Sequence, residues 1–170
     1  MARYRIVPEQ SRVWIEARST LHPIHSTTDG LEGFIEFERD GEGQLDLRTP
    51  PAGSLSLPVT RLSSGNPLEG RELRKRIDAK RYPTIDGVLT KLERVDGDHR
   101  YRVGGELTFR GMTRACYDEM RIEVVDDHTV RLEGESTFDV RDFGMEPPRI
   151  LMLRVEPDVV VRVEIVAEAD

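Results

Sequence analysis

At 170 residues the chain has the length of one domain, and a make-up of 37% hydrophobic against 34% charged residues is lean for a folding core. The charges are mixed in sign and interleaved with Val, Ile and Leu, which is not the pattern of a disordered chain. A net charge of −7 excludes a general affinity for nucleic acid or anionic membrane surfaces, and no run approaches the roughly 18 to 20 apolar residues of a membrane span.

Residues 1–9 contain no apolar core of a secretory signal. A cytoplasmic product is expected, or a periplasmic one if a leader has been removed. Tyr4 to Val7 forms the first strand candidate. Ser11 to Arg18 then alternates Val13, Ile15 and Ala17 against Arg12, Trp14 and Glu16, the period-two pattern of a half-buried strand. Trp14 falls on the outer side, so a loop or a partner chain is expected to cover it, and a homodimer is one way to do so.

His22-Pro23-Ile24-His25 is the one close pair of histidines and is read as a loop. His22 and His25 are the weak metal candidates, since zinc needs a third ligand that the spacing does not supply. Leu31 to Glu38 places Leu31, Gly33, Ile35 and Phe37 on one face, with Phe34 out of phase like Trp14. Residues 39–54, rich in Gly, Asp and Pro, are expected to be a mobile loop, with a strand following at Leu55 to Val59.

Asn66-Pro67-Leu68-Glu69 carries a cap, a proline at the first helical position and an acid in the first turn. Leu73 and Ile77 stand four apart on the short helix that follows, and Tyr82-Pro83 is expected to stop it. The helix is expected to plug one end of the fold. Its basic cluster, Arg71, Arg74, Lys75, Arg76, Lys80 and Arg81, reads either as a solvated face or as a rim for an anionic head group, with Arg71, Arg74 and Arg76 as the rim candidates.

Further strands are expected at Ile85 to Lys91, Tyr101 to Phe109, Met120 to Val124, Val130 to Phe138 and Val159 to Ile165. Cys116, the single cysteine, alternates in phase with Met120 and Ile122 and is expected in the core as a small apolar group. About eight strands suit one antiparallel barrel or sandwich, all-β apart from the helix. Gly33, Gly87, Gly105 and Gly134 all fall in phase with inward side chains. They serve either curvature, by permitting bends, or volume, by leaving room for a ligand.

Five stretches match a known family in order and spacing. They are Ser11-Arg12-Val13, Gly33-Phe34-Ile35-Glu36-Phe37, Tyr82-Pro83-Thr84-Ile85, the run from Gly105 to Arg114, and Arg141-Asp142-Phe143-Gly144. Together they resemble the YceI-like family over residues 3–167, as one domain spanning 1–170. The resemblance implies an eight-stranded antiparallel, lipocalin-like barrel with helix near one end. It also implies a long amphiphilic chain such as a polyisoprenoid held along the axis, dimers in some members, and no established enzymatic activity. The chain departs from the family pattern at the missing leader, at Leu21 to His25, and in its strongly basic helix.

The expected function is therefore binding or carriage of a hydrophobic or amphiphilic small molecule, a polyisoprenoid or other lipid, with no cofactor. Strand phase puts Ile15, Ile35, Phe37, Val103, Leu107, Phe109, Leu132 and Phe138 in the wall, with Gly33, Gly105 and Gly134 among them. Met145, Pro147, Pro148 and Met152 are read as core and a proline turn, with a ligand lip as the rival reading. Two other functions stay open. One is an isomerase or cyclase that uses His22 or His25 as base; no nucleophile elbow or phosphate loop is present to suggest another chemistry. The other is a packed barrel that binds only protein.

Overall fold

A computed structural model describes residues 1–147, 149–150 and 153–170. Its strands are β1 (Ala2–Ile6), β2 (Arg12–Ser19), β3 (Pro23–Thr28), β4 (Glu32–Arg39), β5 (Leu45–Asp46), β6 (Ala52–Pro58), β7 (Thr84–Arg94), β8 (Arg100–Phe109), β9 (Met112–Val124), β10 (Thr129–Asp139), β11 (Arg149–Ile150) and β12 (Leu153–Ala169). Among the described residues there is one α-helix, α1 (Pro67–Ile77), and none is long and apolar enough to cross a membrane. Strands β1, β4, β6, β7, β8, β9, β10 and β12 pair antiparallel in that order, and β12 pairs back to β1. The result is a closed eight-stranded antiparallel barrel.

Closure depends on β12. One edge of it pairs with β10 from Thr129↔Glu168 to Asp139↔Asp158. The other edge serves two strands in turn: β2 along Val155 to Glu164, and β1 at Ala167 to Ala169. Between these the chain leaves β1 through a 3-10 turn at Pro8–Gln10, and backbone pairing would lapse there. Ser11, only 3% exposed, fills the gap. Its hydroxyl donates to the Val7 carbonyl at 2.8 Å and accepts the Val166 N–H at 3.1 Å. The Ser-Arg-Val stretch thus joins two strands onto one edge. Farther along, the β2 register slips between Val155 and Val159, across Pro157, which has no N–H to give a ladder.

Strand β3 stands where the sequence suggested a loop. Its buried face is Ile24, Ser26 and Thr28, and two small hydroxyl residues leave no hydrophobic alternation to read. The Thr28 hydroxyl bonds to the Pro58 carbonyl at 3.1 Å, and Thr27 and Ser63 exchange backbone bonds at 2.9 and 3.1 Å, tying β3 to the chain beyond β6. The expected loop at residues 39–54 is also largely structured. Leu45 is buried, β5 pairs with β4, and the Asp40 carboxylate accepts the Glu42 and Gln44 N–H groups.

Helix α1 begins as its residues dictate, with the Asn66 side chain accepting from the N–H groups of Leu68 and Glu69. It ends at Ile77, well before Tyr82-Pro83. Asp78 turns into the left-handed region at φ 59°, which Asp tolerates better than most residues, and its N–H returns to Lys75. Ile77 packs with Val59, Leu62, Ala79, Phe109, Phe143 and Met145 at one end of the barrel. The opposite end is closed by Tyr4, Phe37, Leu45, Leu92, Tyr101, Ile122, Val124 and Val130, with the Tyr4 and Phe37 rings stacked 4.9 Å apart.

Gly33 is required by backbone rather than by a cavity. Its φ is +144°, and a β-carbon there would stand 2.0 Å from the Ser54 carbonyl oxygen across β6. Gly33→Ala should cost at least about 2 kcal/mol of stability by urea denaturation. Ser11→Ala strips both bonds from a buried site and should cost about 2 kcal/mol in the same measurement.

Candidate functional site

The barrel encloses a cavity of about 380 Å³, at the small end of the roughly 300–1,000 Å³ range of small-molecule sites. Its lining runs from Ile35, Leu92, Ile122 and Ala167 near the Tyr4–Phe37 end to Leu62, Leu73, Ile77, Phe143 and Met145 at the helix end. The wall is almost wholly aliphatic and aromatic, because each strand turns its apolar alternate positions inward.

Nine residues expected from strand phase lie in this lining: Ile15, Ile35, Val103, Gly105, Leu107, Phe109, Leu132, Gly134 and Phe138. Two do not. Phe37 is fully buried against Tyr4 in the end cluster, beyond the cavity, and Gly33 is taken up by its contact with β6. Further wall residues come from α1 (Leu73, Ile77) and from Phe143 and Met145, which reach the barrel end from helix and turn, where a period of two does not apply. Met145 is core, Pro147 is half-buried, and Pro148 and Met152 lie outside the described residues.

The in-phase glycines leave little open space. A β-carbon on Gly105 would meet the Val88 carbonyl at 3.0 Å, where β7 bulges at Thr90. On Gly87 it would meet Leu107 at 3.2 Å, and on Gly134 Met120 at 2.9 Å. Their missing side chains let neighbouring backbone and side chains approach closely, which fits curvature better than volume.

The out-of-phase aromatics are covered from within the chain. The Arg162 guanidinium lies 5.1 Å from the Trp14 ring centre on the neighbouring strand, and Arg3 lies 3.9 Å from that of Phe34. These guanidinium groups do the covering for which a loop or second chain was expected.

The three rim candidates do not converge. Arg71 is exposed, Arg74 donates to the Leu62 carbonyl at 2.8 Å, and Arg76 pairs with Glu72 at 3.4 Å. Arg74 thereby fastens the helix to the segment after β6. His22 and His25 are exposed at and beside β3, with His22 Nδ1 3.0 Å from the Pro23 carbonyl, and neither lines the cavity. Among the described residues no group of three His, Cys, Asp or Glu side chains is placed to hold a metal.

Cys116 is half-buried on the cavity side of β9 rather than packed in a core cluster. Burial pushes its thiol above the ordinary cysteine value, and the nearby carboxylates of Asp118 and Asp142 add to the shift. Alkylation by iodoacetamide at pH 8 should therefore run slower than for a free thiol. Asp118→Asn should speed it up by lowering the thiol pKa, read from the pH–rate midpoint.

The YceI-like domain family matches residues 4–167. No curated protein matches the chain. Among solved structures the fold is similar to BcnA of Burkholderia cenocepacia, at 16% identity and TM-score 0.80 over 95% of this chain and 98% of that one. It is also similar to a polyisoprenoid binding domain from Saccharophagus degradans implicated in plant cell wall breakdown, at 12% identity and TM-score 0.78 over all of both chains. A YCEI protein of Campylobacter jejuni aligns at 14% identity and TM-score 0.67, over 86% of this chain and 85% of that one. With the family match spanning nearly its whole length, the chain belongs to the YceI-like family.

Proposed function

We propose that this protein binds and carries a hydrophobic or amphiphilic small molecule, a polyisoprenoid-like chain or another lipid, and performs no chemistry on it. The observation that carries this reading is the apolar cavity between the two end clusters. Each CH₂ of a chain moved there from water gains about 0.8 kcal/mol before ordering costs. The similar Saccharophagus domain is named for binding a polyisoprenoid, which supports the same ligand class here. A volume of about 380 Å³ suits a short chain, or part of a longer one.

The isomerase or cyclase reading needs a base inside the cavity, and His22 and His25 lie outside its lining. The packed-barrel reading needs a filled interior. A homodimer is no longer needed to cover Trp14, which Arg162 covers.

Protein purified without detergent should release a near-stoichiometric lipid on solvent extraction, identified by mass spectrometry. Leu107→Trp and Leu132→Trp, which fill the cavity, should cut that recovery at least fivefold while circular dichroism stays that of a folded barrel. Recovery of no lipid, together with failure to take up an added alkyl probe, would refute the carrier reading.

A further inference from the structure

The barrel wall is not laced along its whole height. Strands β9 and β10 pair only from Met120↔Gly134 to Val124↔Val130. Beyond that, residues 112–119 of β9 bond to β8 and residues 135–139 of β10 bond to β12. Among the described residues no backbone pairing joins these two stretches. Residues 89–94 of β7 likewise lack a partner on β6, but there Leu45 packs with Leu92 and its carbonyl accepts from Arg94. Between β9 and β10 no ladder bonds have to break for these stretches to part.

The seam has defined limits. At its lower end Met120 lies over Gly134, where a β-carbon would come within 2.9 Å of Met120 Cγ, so a flexible thioether fills the last paired step. At its upper end a 3-10 turn, Val140–Phe143, closes over the helix end, held by Arg110 donating to the carbonyls of Phe143 and Gly144.

The seam is also where the inward face turns polar. Cross-strand partners share a face. Thus Arg114, Cys116 and Asp118, opposite Leu107, Gly105 and Val103, occupy inward positions. Ser136, two residues on from Gly134, does the same on β10. Outside, a surface depression of about 490 Å³ shares Asp118, Met120, Gly134 and Glu135 with the cavity, so groove and interior meet at this point. Both barrel ends, by contrast, are stopped by buried clusters.

We propose that the β9–β10 seam is the portal of the barrel: an amphiphile's apolar chain slides in sideways between the two strands, and its polar end stays at the seam beside Asp118 and Ser136. This rests on the carrier reading above. The helix end, with its arginines, then acts as a fixed plug and takes no part in admission.

The test uses N-dansyl-hexadecylamine as probe, with Trp14, the single tryptophan, as fluorescence donor. In a Cys116→Ser background, Glu135→Cys places a thiol at an exposed site on the outer lip of the seam, and Lys75→Cys places one on the exposed helix surface. Each is joined to a maleimide polyethylene glycol and followed by stopped flow. The Glu135→Cys conjugate should slow both uptake and release at least tenfold with affinity changed less than threefold, and the Lys75→Cys conjugate should leave the rates alone. The same conjugation at native Cys116 is a second arm, expected to slow uptake likewise should the double variant fail to fold.

Unchanged rates with the seam conjugated would overturn the portal. So would a dimer by light scattering that the Glu135→Cys conjugate splits, since the free strand edges would then serve a second copy. Failure of the unmodified protein to take up the probe is a different outcome, and it strikes the carrier reading itself.

Discussion

A closed barrel needs every strand edge satisfied, and in this chain the demand falls on one edge of β12. That edge is longer than any single partner, so β2 and β1 share it, and the Ser11 hydroxyl supplies the bonds where neither strand can. With this joint in place, β1 lies beside β4 and the ring closes, bringing Tyr4 to Phe37 at the barrel floor. Without it the part-buried Val166 N–H would be left without a partner, while the Val7 carbonyl would keep only the Gln10 N–H. An orphaned donor of this kind costs about 1–3 kcal/mol.

Closure also explains the lean composition. A barrel turns one face of each strand to water, so a 37% hydrophobic chain fills its interior and still keeps charges along the outside. Much of that outer face is bound by short-range pairs such as Arg162–Glu164 at 2.6 Å and Arg121–Glu123 at 2.9 Å. These add little stability each in water, and their use is to keep the exposed strands soluble and unpaired.

Much of the architecture was legible because its core positions are apolar at period two. Ile15, Ile35, Val103, Leu107 and Leu132 could be assigned to the interior from strand phase alone. Where burial is achieved by hydrogen bonding the signal vanished. Strand β3 hides behind Ser26 and Thr28, and the first half of β9, Met112 to Glu119, carries polar residues on both faces. That second silence has a physical cause: this stretch borders no strand on its β10 side, and it meets the cavity through Cys116 and Asp118 rather than through large apolar side chains. Phe37 was placed one layer wrongly, because phase gives the face of a strand and not the height along the barrel. Trp14 and Phe34 looked uncovered because a covering arginine on another strand leaves no trace in the local pattern.

The Tyr4–Phe37 stack sets the bottom of the tube, and neither ring can move without disturbing the joint between β1, β4 and β12. A tube with an immovable floor is a gauge. On the carrier reading, a chain that enters at the proposed seam can reach no deeper than this stack, so lipids differing only in carbon number would differ in how much of the chain is left outside. On that reading, discrimination by chain length would need no recognition of a head group, because the depth of one aromatic pair would set it.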